Sequence, residues 1–581
     1  MLSATALVAC GGGNDDAPTR PAGDPLVQYQ WHLENTGQST FSARGGVPGI
    51  DLDVASVFDQ GETGDGVRVL VLDDGLDIRH PDLVDRIAPD MLYNFDPAAP
   101  VTHDPTPTND DSHGSAVAGI IGATANNGVG GRGVAPGVRL GGARLICSES
   151  GSAKCDTPVN MLNAFGGAPF SQSADIINGS FGDMGAAVRD FDPDTSLDGV
   201  VMQHLEALRS GKGLVFVKAA GNQFDNLLRE SCASAARAGV ACGNAALDPM
   251  NTMPQALVVG AVNADGVKSS YSSSGSALLV AGLGGESGSV TGPAIMTTDL
   301  SGCNRGSVKT GESAWNPFDD PVTEIARSLN PDCNYMASMN GTSSAAPTVS
   351  GVIALMLHAN PRLTWRDVRT ILATTSRRID AARVAKTVTL PDGQPYVPEP
   401  AWTRNGAGRW FDNWYGFGLV DAAAAVSAAR SYSAYLTGAM KRAIVVEASA
   451  SCMAQPDPDP DTCGDSIAAG TASGLAVPIQ VSAQGIGSIE ALQLTVRLAR
   501  VSMRDMAVEL TSPAGTRSVL FNAFNGVRPG VSDVESLTLS SNAFNGESAQ
   551  GVWTLKFIDV AQRDNPESGS FQAAKINVMG H

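Results

Sequence analysis

The stretch NGTSSAAPTVSGVIALML, Asn340 to Leu357, sets two adjacent serines after Gly341-Thr342 and then runs into an apolar, helix-like segment. Taken alone, Ser343 or Ser344 is a helix cap, because a side-chain oxygen satisfies the free N–H groups of a first turn. Either serine is more than a cap only if the chain supplies a base and an orienting acid, each in a suitable local setting. Those two groups have to come from elsewhere in the sequence.

Three upstream stretches qualify. In VRVLVLDDGLDIRHPDL, an apolar strand delivers Asp73 and Asp74 to its carboxyl end, where open α/β sheets place their sites, although a carboxylate there also serves as an ordinary turn residue. In NDDSHGSAVAGIIGA, His113 and Gly114 open a helix of small residues, so the imidazole sits at its N-terminal end. LVFVKAAGNQF is a strand ending in Ala219-Ala220-Gly221-Asn222.

The wider pattern agrees with such a sheet. From Gln28 to Asp421, β-rich apolar runs (VRVLVLDDG, LVFVKAAGN, ALVVGAV) alternate with helical ones (GSAVAGIIGATA, DVRTILATTSRR), which predicts a mostly parallel sheet with helices on both faces. ASASCMAQPDPDPDTCGDS is Pro- and Asp-rich and reads as a linker. Beyond Ile467, short alternating runs such as LQLTVRLARV and VWTLKFIDV predict an all-β sandwich. The expected partition is an N-terminal signal segment (1–10), a flexible linker (11–23), an α/β domain (24–435), the Pro/Asp-rich linker (436–466) and the sandwich (467–581).

Two domains also follow from the length of 581 residues, more than one hydrophobic core usually serves. The formal net charge of −20 argues against nucleic acid or an anionic membrane surface as partner, since both demand clustered Lys and Arg. MLSATALVAC resembles a bacterial lipoprotein signal, with Cys10 as the lipidated residue, the alternative being an ordinary cleaved signal. The expected location is exported: an outer-membrane lipoprotein or a secreted protein. With Cys10 set aside, the nine cysteines leave an even number in sequential couples: Cys147 with Cys155, Cys232 with Cys242, Cys303 with Cys333, and Cys452 with Cys463. An even count in an exported chain favours disulfides, with zinc the runner-up, and spacing alone leaves the connectivity open.

DDG, HGSAVAG, AGN and GTSSAAP, in that order between Asp73 and Pro347, resemble the subtilisin-like serine proteases. Asp…His…Ser is the known chain order of the subtilisin triad, so this is a match to a given pattern. The resemblance covers about Asp24 to Asp421 and implies a subtilisin-like α/β peptidase domain. Position by position, it makes Asp73 the orienting acid, His113 the general base, Ser343 the nucleophile and Asn222 the oxyanion donor, with Ser344 a structural neighbour. The Asp73-Asp74 doublet and the C-terminal stretches VELTSPAGTRSVLF and AFNGESAQGVWTLKFIDV are similar to the kexin and furin-like branch with its P-domain. That branch implies Asp74 as the acid for a basic residue two before the scissile bond. It implies Asp248 as the acid under the residue at the bond. Substrate main chain would pair with Ser180-Phe181-Gly182 and Ala219-Ala220-Gly221.

The resemblance also implies structural Ca²⁺, held by Asp24, Asp82 and Asn127 with the carbonyls of Thr124, Val129 and Gly131. About a dozen residues separate Cys10 from Asp24, too few for the inhibitory propeptide of such proteases. The expectation is an upstream start or a separate chaperone or inhibitor protein. The function expected is an exported serine endopeptidase preferring basic residues before the scissile bond. The alternatives are a broad-specificity subtilisin-type protease and an inactive binding or adhesion protein on the same fold. A lipase or esterase is disfavoured because its order is Ser…Asp…His.

Overall fold

A computed structural model describes residues 23–147, 155–182, 187–224, 232–454, 463–482, 485–561 and 569–581. Cys10 and the signal segment lie outside the described residues.

Seven strands form the central sheet: β1 (Arg68–Asp73), β2 (Ile87–Asn94), β3 (Arg139–Arg144), β4 (Ile176–Gly179), β5 (Val215–Ala219), β6 (Ala256–Val262) and β7 (Val280–Leu283). Their order is β2-β3-β1-β4-β5-β6-β7, and every neighbouring pair is parallel. Alternation along β1 shows why both faces are covered. Val69 and Val71 join a core with the helices His113–Gly122 and Thr342–Ala359, while Leu70 and Leu72 join a second core with Phe165, Met202 and Leu205. Strands buried on both faces read as near-continuous apolar runs, as β6 and Val69–Leu72 of β1 do, while β5 is apolar except for Lys218. The chain builds β2 and β3 on one side of β1 and β4 to β7 on the other, so the order reverses beside β1. Such a switch point opens a crevice at the carboxyl ends of the strands.

The C-terminal part is a sandwich. One sheet pairs Lys441–Ala448, Gly569–Gly580, Ile489–Val501 and Ser532–Ser540, with Asp465–Ile467 added to Gly569–Gly580; the other pairs Leu475–Val481, Gly551–Asp559, Met506–Thr511 and Arg517–Phe521. Trp553, Phe557, Phe571 and Leu494 fill the space between them. One segment departs from the sequence reading. Residues 441–448 lie within the expected linker, yet they form an edge strand with Ala443 and Val445 turned toward the core. Lys441, Arg442 and Glu447 flank a short apolar run there, and the charges mask its alternation.

The two parts are joined through buried polar contacts. Arg366 Nε donates to Glu490 at 2.8 Å, Arg369 Nη2 to Asn542 at 2.9 Å and Gln493 Nε2 to the Thr252 carbonyl at 3.0 Å. The cysteines form Cys147–Cys155, Cys232–Cys242, Cys303–Cys333 and Cys452–Cys463 disulfides, with Cα separations of 5.8, 5.2, 5.0 and 4.9 Å. Among the described residues no helix is long and apolar enough to cross a membrane.

Candidate active site

Asp73 ends β1 and is buried, which places its carboxylate at the mouth of the crevice. His113 begins its helix a short step away, and Nδ1 lies 2.7 Å from Asp73 Oδ1. A carboxylate only accepts, so Nδ1 carries a proton, and Nε2 is the nitrogen that holds the lone pair when the imidazole is neutral. Close approach depends on Gly114: a Cβ there would lie 2.0 Å from the Gly75 carbonyl oxygen and 2.8 Å from Asp73 Cβ. Burial lowers the basicity of His113, but the charges of Asp73 and Asp74 and the Asp73 hydrogen bond outweigh it and raise its pKa to about 9. The side chain is 35% exposed, so solvent screening moderates that rise.

Asp74 caps the helix that carries the imidazole. Its Oδ1 accepts from the Gly114 N–H at 2.8 Å and its Oδ2 from the His113 N–H at 3.2 Å, so this carboxylate has a structural role as the cap of a distant helix and not in the turn that follows it. Burial first, then the charge of Asp73, push its pKa up to about 7 against the opposing effects of His113 and the Gly114 N–H.

Ser343 is the second residue of the helix Thr342–Ala359 and is half-buried, whereas Ser344 is fully buried and donates to the carbonyls of Gly284 and Gly341. The accessible hydroxyl is therefore that of Ser343. It donates to the Ser180 carbonyl at 3.1 Å. Pro347 has no N–H for the Ser343 carbonyl four residues back, and Ser180 Oγ donates to that carbonyl instead at 2.9 Å. These two bonds tie the Ser343 turn to the end of β4.

The turn is also fixed from behind. Tyr271 Oη accepts the Gly341 N–H at 2.8 Å and lies 2.9 Å from the carbonyls of Gly284 and Gly285. Asn222 Oδ1 accepts from the Thr342 N–H at 2.8 Å and from Thr342 Oγ1 at 3.0 Å, which fixes the amide with its NH₂ turned the other way. Thr342 Oγ1 accepts the Gly221 N–H at 3.1 Å. Among the described residues neither Asn222 Nδ2 nor the Ser343 N–H has a protein acceptor. A Cβ built on Gly341 would lie 3.1 Å from that Nδ2 and 3.4 Å from the Ser343 nitrogen, so the two unspent donors face one gap. Sequence reasoning gives neither Thr342 nor Tyr271 a part in the site, though Thr342 sits inside the Gly-Thr-Ser motif.

The two expected substrate segments flank Ser343: Ser180-Phe181-Gly182 continues β4, and Ala219-Ala220-Gly221 closes β5. Asp248 does not stand alone beneath them. Its Oδ2 pairs with Lys218 Nζ at 2.8 Å and its Oδ1 accepts the Met250 N–H at 3.0 Å.

The residues expected to hold calcium converge. Asn127 Nδ2 donates to Asp82 Oδ1 at 2.9 Å, and the Asn127 N–H donates to Asp24 Oδ1 at 3.2 Å. Asp82 Oδ2 is buried without a hydrogen bond of good geometry, its polar neighbour being the Tyr335 hydroxyl, and among the described residues no donor reaches the carbonyls of Thr124, Val129 or Gly131. These oxygens fit a hard cation, with Arg132 competing for Asp24 at 2.9 Å. The set has only two acidic side chains, and among the described residues no group of three His, Cys, Asp or Glu is placed for a metal.

Comparison with known proteins agrees with this architecture. Residues 64–418 match the Subtilase family, and residues 489–578 match the Proprotein convertase P-domain. The chain is 35% identical to the Aeromonas extracellular serine protease of Aeromonas sobria, over 97% of this chain and 91% of that protein. It is 28% identical to the Neuroendocrine convertase 2 of Homo sapiens, over 92% of this chain and 70% of that one. The crystal structure of the serine protease of Aeromonas sobria superposes with a TM-score of 0.84 at 31% identity, covering 99% of both chains. The same protease in complex with its chaperone gives 0.83 at 32% identity, covering 97% of this chain and 96% of that one. With its sheet, its Asp-His-Ser order and its C-terminal sandwich accounted for, the chain belongs to the subtilase family of serine endopeptidases and carries a proprotein convertase P-domain.

Proposed function

We propose that the chain cleaves peptide bonds with Ser343 as nucleophile, His113 as general base and acid, Asp73 as orienting acid, and Asn222 Nδ2 with the Ser343 N–H as oxyanion donors. The observation that carries this reading is the pair of unspent donors facing one gap beside the accessible Ser343 hydroxyl. For reaction the hydroxyl leaves the Ser180 carbonyl for His113 Nε2, a contact that in such enzymes tightens when substrate is bound. Ser343 Oγ then attacks the carbonyl carbon while its proton passes to His113. Negative charge develops on the carbonyl oxygen beside Asn222 Nδ2, the Ser343 N–H and the positive end of the helix. His113 returns the proton to the leaving amine, and water, activated by the same imidazole, releases the acyl group.

Asp74 is proposed to favour Lys or Arg two residues before the scissile bond. A carboxylate has about four acceptor positions, so two N–H bonds leave room for a substrate ammonium or guanidinium. The occupied oxygens favour the second reading, a broad-specificity protease, and the same experiment separates them. Cleavage of a peptide library with product sequencing should show basic residues enriched at that position. A profile led by Phe, Leu or Tyr at the bond, with no basic preference before it, would return the chain to broad specificity.

Export, Ca²⁺ held by Asp24, Asp82 and Asn127, and a separate folding chaperone complete the proposal. The extracellular relative and its chaperone complex support the first and the last. The buried Asp82 oxygen, without a hydrogen bond of good geometry, supports the second.

A further inference from the structure

Lys218 is almost fully buried at the end of β5, an unusual place for an ammonium. All three of its donors are spent: Nζ lies 2.6 Å from the Phe181 carbonyl, 3.2 Å from the Ala219 carbonyl and 2.8 Å from Asp248 Oδ2. Phe181 and Ala219 belong to the two segments that flank Ser343, so the ammonium bridges them from below. Gly182 has no side chain over this pair; a Cβ there would lie 2.9 Å from both Lys218 Nζ and Asp248 Oδ2. A carbonyl carbon attacked by Ser343, with its oxygen between Asn222 and Ser343, carries its own side chain into the gap between these segments. The ion pair lies against Phe181, Gly182 and Ala219, the residues that border that gap.

We propose that Lys218 is a specificity-determining residue: by neutralising Asp248 it makes the chain prefer an uncharged side chain, over Lys or Arg, immediately before the scissile bond. This rests on the proposed function and assigns the preference at one position of the same site. A substrate guanidinium entering the gap meets an ammonium already bound to the carboxylate, so it gains a shared acceptor and a repulsive neighbour. An uncharged side chain leaves the pair intact and loses nothing. The preference two residues earlier, through Asp74, is independent of this pair.

The test is kcat/KM on peptides that differ only in the residue before the bond (Arg, Leu or Glu), with active enzyme counted by fluorophosphonate titration. The wild-type chain should favour Leu over Arg. Lys218→Met, which removes the ammonium from Asp248, should raise the Arg-to-Leu ratio at least tenfold, and Lys218→Met combined with Asp248→Asn should cancel that rise. If Lys218→Met does not fold, Asp248→Asn alone decides: an unpaired ammonium should raise the Glu-to-Leu ratio. A wild-type chain that favours Arg, and loses that preference in Asp248→Asn, would overturn the proposal. Absence of labelling and of cleavage in the wild-type chain would instead sink the proposed function itself.

Discussion

A methyl group on Gly341 would stand 3.1 Å from Asn222 Nδ2 and 3.4 Å from the Ser343 nitrogen, in the gap proposed for the developing oxyanion. The residue also has φ of +100°, a conformation open to glycine and strained by about 1–3 kcal/mol for other residues. Gly341→Ala is therefore expected to lower kcat on a short peptide far more than it lowers thermal stability; full kcat would argue against the gap as the oxyanion site. Asn222→Ala removes one donor and should cost about 3 kcal/mol of transition-state stabilisation, the range subtilisin itself shows for its side-chain donor. It should do so through kcat, with KM little changed. Asp74 gives a pH signature. Its raised pKa, about 7, means that the carboxylate is charged only above that pH. The preference for Lys over Leu two residues before the bond should thus be present above pH 7 and fade as pH falls. Taking the ratio of kcat/KM values cancels the titration of His113, and a ratio that stays flat from well below the Asp74 pKa to well above it would contradict the role given to Asp74.

At the scale of elements, the helix Trp365–Thr375 is held to the sandwich by Arg366 and Glu490, whose side chains are 3% and 6% exposed. Removing one partner of a buried pair leaves an uncompensated charge and costs about 3–5 kcal/mol. Glu490→Ala should accordingly lower Tm and separate the unfolding of the two parts in calorimetry, whereas an unchanged single transition would show that the pair carries little of the docking. The elements that form the site are legible in the sequence because each is encoded locally. β1 runs unbroken and apolar from Val69 to Leu72 before ending in Asp73, and the helices at His113 and Ser343 open with small residues. What is not legible is long-range. Tyr271 reaches Gly341 across 70 residues of chain, and Lys218 finds Asp248 across 30, with no local pattern to announce either contact. The strand Lys441–Ala448 reads as linker because its partner strand, Gly569–Gly580, lies at the far end of the chain.

At the scale of the whole molecule, the N-terminal Asp24, the segment after β1 and the loop after the His113 helix meet at the expected calcium site. A cation that binds there ties three distant segments together and stabilises the fold by about 4 kcal/mol when present near a thousand times its dissociation constant. Prolonged dialysis against EGTA should lower Tm, and an unchanged Tm would count against the site. The central claim is that this assembly acts through Ser343. Its most direct test is labelling of the intact protein with a fluorophosphonate, followed by peptide mapping and by assay of Ser343→Ala and Ser344→Ala. The account predicts one adduct, on Ser343, with peptidase activity lost in Ser343→Ala and largely kept in Ser344→Ala. An adduct elsewhere, or full activity in Ser343→Ala, would contradict it.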